Sequence, residues 1–163
     1  VLTIAGVPNA SVIAAAIKCA YLIDLGTVKK RDTLDPKEIL RLHDERYRGL
    51  QEFVRPAERI YRQTGHPKSV VTALLFHFSR LNPDAAQRFA DAWESGQWNG
   101  KFKAIGLMQQ QIASLQVASL GRVHDTARAA LIVKAWNLFV SGRQGRRDEV
   151  VWTPADDFPV IKG

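Results

Sequence analysis

The chain has 163 residues, 46 % of them apolar, a formal charge of +7 and one cysteine. That length and apolar fraction suit a chain that buries a core, which excludes bulk disorder. A lone Cys19 excludes an internal disulfide and a multi-thiolate zinc site, and it favours a reducing, cytoplasmic setting.

Asn9 is placed to cap a first helix over Ala10–Leu25, apolar nearly all round and so expected at the centre of the fold. Its apolar run from Val12 carries Lys18 and Asp24 and is too short to span a bilayer, so no membrane partner is expected. GTVKKRDT (residues 26–33) reads as a basic loop that displays Lys29, Lys30 and Arg31. Asp35, Pro36 and Glu38 together signal a helix start: an acidic cap, proline at the first helical position and a carboxylate in the first turn. Ile39, Leu42 and His43 then form one apolar stripe. Gly49 breaks this helix, and the next segment packs Leu50, Phe53, Val54, Ile60 and Tyr61, with a kink or restart expected at Pro56. Pro67 opens a strongly apolar helix to about Leu81, and Asn82–Pro83–Asp84 starts one that turns Ala86, Phe89, Ala90 and Trp93 inward. After the loop GQWNG, a helix runs from about Phe102 to Leu115 with Ile105, Leu107, Met108 and Ile112 inside. Leu120–Gly121 is a turn, Asp125–Thr126 caps the helix Ala127–Ser141, and Gly142 ends it.

These elements predict an all-α fold, an irregular bundle of six or seven helices over residues 1–147. An extended C-terminal tail over 148–163 would pack back through Trp152 and Phe158. The chain starts mid-phrase on VLTIAGVPNAS, with no signal peptide, which suits a fragment of a longer polypeptide.

Catalytic and metal-binding patterns are missing from the sequence. His43, His66, His77 and His124 never fall at H-x-x-x-H spacing, and on a helix a carboxylate at i+1 of His43 is expected to point away from the ring. No nucleophile elbow, P-loop or dinucleotide fingerprint occurs, and the acids Asp156 and Asp157 read as solvated tail residues. No cofactor, no metal and no enzymatic reaction are expected of this segment.

Basic groups carry the remaining signal. Residues 1–82 hold 13 Lys/Arg against 8 Asp/Glu, and residues 83–163 hold 10 against 8. Arg55, Arg59 and Arg62 fall at i, i+4 and i+7, so a helix through them puts all three on one face that could follow a phosphate backbone. Arg48 lies seven residues before Arg55 in a register that Pro56 leaves open, and Glu52 and Glu58 would balance the face if it is only solvated. Arg143, Arg146 and Arg147 form a second loop cluster, with Asp148 and Glu149 next to it. IASLQVASLGRVHDTARAALIV could be a helix–turn–helix with Thr126, Arg128 and Ala129 at recognition positions, but its second helix is so apolar that a plain helical hairpin is the better reading.

Three stretches carry a resemblance: NASVIAAAI near the start, VVTALLFHFSRLNPDAAQRFADAWESG, and RAALIVKAWNLFVSGR followed by VVW and DDFPVI. Together they resemble a helical region found downstream of ParB/sulfiredoxin-like nuclease-fold domains in phage, mobile-element and bacterial proteins. That likeness implies a place in a nucleic-acid-associated protein whose catalytic domain lies upstream. The upstream domain's D-G-Q-H-R-type motif does not occur in this chain, so no catalytic residue carries over.

The expected function is therefore a non-catalytic helical module that contacts DNA non-specifically or positions an upstream domain. The expected contact residues are Lys29, Lys30, Arg31, Arg48, Arg55, Arg59, Arg62, Arg143, Arg146 and Arg147. The alternative is a protein-interaction or homo-oligomerisation domain with incidental charge, docking through Trp98, Trp152 and Phe158.

Overall fold

The computed structural model describes residues 9–26 and 34–163. The fold is an all-α helical bundle with seven α-helices and no strand among the described residues, and two compact units, Val1–His77 and Phe78–Gly163, divide the chain.

In the first unit, α1 (Ala10–Asp24) buries Ile13, Ala14, Ala16, Ile17 and Ala20. Its alanines let neighbouring backbones approach, and Ile39, Leu42, Tyr47, Leu50 and Val54 fill the core beside them. Asn9 does not cap α1 as expected. Its backbone is left-handed (φ 58°), its side chain makes no cap bond, and its carbonyl joins the helix by accepting from Ile13 N–H at 3.0 Å.

Helix α2 (Pro36–Glu45) starts as its sequence predicts. Glu38 N–H donates to Asp35 Oδ1 at 2.9 Å, and Asp35 N–H donates to Glu38 Oε2 at 3.3 Å. A 3-10 stretch, Arg48–Phe53, runs into α3 (Val54–Thr64). Pro56 falls in the first turn of α3, where no backbone donor is needed, so the chain restarts there and does not kink.

Helix α4 (Lys68–Leu81) buries every residue from Val70 to Phe78, and the division between the units falls inside it. Two polar groups of the first unit are bound within this apolar setting. His77 Nε2 donates to the Ala20 carbonyl at 3.1 Å, and its Nδ1 lies 3.8 Å from Asp24. Tyr47 donates to the same carboxylate at 2.5 Å, and Arg46 pairs with it at 3.4 Å.

The second unit is built on aromatic rings. Helix α5 (Pro83–Ser95) is capped by Asn82 Oδ1, which accepts from Ala85 N–H at 3.1 Å, and it buries Phe89 and Trp93. Helix α6 (Lys103–Ala118) pairs with α7 (Asp125–Val140) as a helical hairpin. Trp136 on α7 stacks on Phe78 with centroids 4.3 Å apart, and Phe89 meets both rings edge-on.

Almost the whole circumference of α7 is buried, Arg128 and Ala129 included. The recognition-helix reading of those positions is thereby overturned, because a groove-reading helix needs an open face. Burial pushes the Arg128 guanidinium below its usual range, and Asp125 partly offsets the shift. Asp125 is the first residue of α7, not its cap. His124 holds the cap position and makes no side-chain cap bond.

The end of α7 closes as a Schellman turn. Gly142 takes a left-handed φ of 69°, its N–H donates to Phe139 at 3.1 Å, and Arg143 N–H donates to Leu138 at 2.9 Å. The tail then docks on α7. Trp136 Nε1 donates to the Lys162 carbonyl at 2.7 Å. Asn137 donates to the Val160 carbonyl at 2.8 Å and accepts from Lys162 N–H at 2.9 Å. Trp152 is buried and Phe158 half-buried.

Candidate nucleic-acid interface

Helix α3 has two opposite faces. Val54, Ala57 and Ile60 are buried, while Arg55, Arg59 and Arg62 are exposed on the other side. The helical repeat makes this division, since positions at i, i+4 and i+7 return to one line along the helix. Among the described residues neither Arg55 nor Arg62 makes an ion pair, and Glu58, half-buried beside the stripe, pairs with neither. Arg48 is exposed on the 3-10 stretch that leads into this helix. The three arginines thus share one exposed face of the helix, as their i, i+4, i+7 spacing predicts.

Tyr61 departs from expectation. Its position at the border of the buried face suggested a core residue, but it is 46 % exposed. Lys68, the first residue of α4, holds its ammonium 5.2 Å from the Tyr61 ring centroid. The two line an open depression of about 340 Å3 with Ser11, Val12, Ala15 and Ser69. Periodicity could not find this feature, because it depends on small side chains of α1 meeting the start of α4.

The C-terminal cluster is arranged differently. Arg143 Nη2 lies 2.6 Å from Glu149 Oε2, and Arg146 Nε lies 3.5 Å from Asp148 and 3.7 Å from Glu149. Arg146 N–H also donates to Glu149 Oε1 at 3.1 Å. Arg143 and Arg146 are exposed, at 59 % and 77 % of their side chains, and both pair with Glu149, one of the two acids next to the cluster in sequence. Arg147 is exposed. Lys29, Lys30 and Arg31 lie outside the described residues.

The aromatic residues proposed for docking are turned inward. Trp98 Nε1 donates to the Ala92 carbonyl at 3.1 Å, and its backbone lies so close to Gly106 that a Cβ there would meet it at 3.2 Å. Trp152, 6 % exposed, donates to its own tail at Asp157 O, while Val151 beside it is exposed.

Among the described residues no group of three His, Cys, Asp or Glu is placed to hold a metal ion. Asp44 does approach His43: the exposed carboxylate folds back to Nδ1 at 3.1 Å, where the sequence reading expected it to point away. No helix of the described residues is long and apolar enough to cross a membrane. The arrangement offers exposed positive charge on α3, the helix that also carries the half-exposed Tyr61 ring. No family model matches the chain, and no curated protein or solved structure matches it.

Proposed function

We propose that this chain is a non-catalytic helical module that contacts nucleic acid, DNA in the first instance, through the arginine face of α3. The observation that supports it is the exposed line of Arg55, Arg59 and Arg62 opposite a buried face. Guanidinium groups on a rigid helix can follow phosphates without reading bases, so the contact is non-specific and sensitive to salt. The formal charge of +7 supports the same reading, because it favours long-range attraction to a polyanion. The resemblance to helical regions beside ParB/sulfiredoxin-like domains adds a second duty, holding such a domain against its DNA.

The test is fluorescence anisotropy of labelled random-sequence DNA across a salt series. Replacing Arg55, Arg59 and Arg62 together by alanine should weaken binding at every salt concentration. It should also flatten the log–log salt slope by about 2–3 units, one counterion-releasing contact per arginine. Replacing Arg143, Arg146 and Arg147 should change the slope by about one unit or less, because Glu149 already holds two of them. A parent-like affinity and slope in the α3 triple variant would overturn the assignment.

A further inference from the structure

We propose that the partner of α3 is single-stranded, and that Tyr61 is the platform on which one unpaired base stacks. This inference rests on the nucleic-acid reading and sharpens it. An arginine face alone does not distinguish duplex from single strand, since both present phosphates. An exposed aromatic ring on that helix does, because a base inside a duplex is stacked on both faces by its neighbours and an unpaired one can offer a face to a side chain.

The ring is held ready for that role. Tyr61 follows Ile60, which is fully buried and fixes the local helix, and it precedes Arg62 on the exposed stripe. The Cβ of Tyr61 projects from the flank of α3, and nearly half the residue remains open to solvent. Below it, the small side chains of Ser11, Ala15 and Ser69 leave the depression of about 340 Å3. The depression is open and shallow, so a flat ring can lie against Tyr61 without being enclosed.

Charge agrees with the occupant. The Lys68 ammonium over the ring puts positive charge at the depression, and the exposed Arg62 follows Tyr61 on the same helix, so phosphates flanking a stacked base would meet cations. Among the described residues of α3 the opposing group is Glu58, half-buried between the arginine stripe and Tyr61. It disfavours a phosphate at that point and leaves the ring as the contact there.

The experiment compares an oligothymidylate of about 16 nucleotides, which forms no duplex, with a duplex of the same length, both read by anisotropy on the full chain. The parent should prefer the single strand. Tyr61→Leu, which keeps the bulk of a half-exposed side chain, should weaken single-strand binding about ten-fold and leave duplex binding within about two-fold. Its salt slope should match the parent's, because stacking releases no counterions. Tyr61→Phe should bind like the parent. Equal single-strand affinity in Tyr61→Leu and the parent would overturn the platform. If the α3 triple variant still lost affinity in that case, the wider nucleic-acid reading would stand. If the parent bound neither probe at low salt, both would fall.

Discussion

In Val1–His77 the core sets alanines of α1 against Ile39, Leu42 and Leu50, with Tyr47 and Phe76 meeting edge-on among them. In Phe78–Gly163 the core is a set of stacked and edge-on rings, Phe78, Phe89, Trp93 and Trp136, and the side chains of Trp136 and Asn137 bind the tail backbone. The charges differ in the same way. Arginines on α3 face solvent with no carboxylate bound to Arg55 or Arg62 among the described residues, whereas Arg143 and Arg146 are tied to Glu149. Counting basic residues cannot separate these cases. A guanidinium contributes to binding a polyanion only if the fold leaves it unspent.

The largest effect should come from the aromatic side of this comparison. Trp136 is fully buried, stacks on Phe78 and donates to Lys162 O, so Trp136→Ala removes packing and a tail anchor together. We expect a loss of about 4 kcal/mol in urea denaturation, within the range for buried Trp or Phe truncation. A loss below about 1 kcal/mol would mean that the ring stack is not what holds the second unit.

A smaller effect tests the charges, one carboxylate from each unit. Glu149→Gln should cost about 1 kcal/mol, a modest figure because Arg143 is 59 % exposed at its side chain and solvent screens the pair. Glu58→Gln should leave stability within about 0.5 kcal/mol and tighten nucleic-acid binding several-fold, since it removes a repulsion beside the stripe. If Glu149→Gln is the variant that tightens binding and Glu58→Gln is silent, the two units have been assigned the wrong way round.

Much of the fold was legible because its signals are local. Asp35 with Glu38 and Asn82 with Pro83 mark helix starts through bonds within three residues, and Gly142 marks an end in the same way. The stripe of α3 follows from periodicity alone. Asn9 and Asp125 misled because a cap needs a particular backbone conformation as well as a suitable side chain. Tyr61 misled because a residue at the edge of a buried face is covered only if a neighbouring element reaches it, and α1 offers only Ser11, Val12 and Ala15 there. The acids beside the C-terminal cluster were legible, but that Glu149 is the one that reaches Arg143 depends on the geometry of the turn. The division inside α4 was hidden as well, since one unbroken apolar run serves both sides of it.

The smallest effect compares how the units end their helices. Helix α3 stops at Gly65 with φ 77°, and α6 stops at Leu120 with φ 55°. Gly121 N–H donates to Gln116 O at 2.6 Å, so the backbone closes the turn behind Leu120 whatever its side chain. Leu120 is 94 % exposed and loses no burial on replacement. A left-handed residue with a Cβ is strained by roughly 1–2 kcal/mol, and glycine gives back roughly 0.5–1 kcal/mol of that through its looser unfolded chain. Leu120→Gly should therefore stabilise the protein by about 0.5–1 kcal/mol in urea denaturation, while Gly65→Ala should destabilise it by a similar amount. A destabilised Leu120→Gly would show that the exposed leucine, and not the backbone hydrogen bond, closes the end of α6.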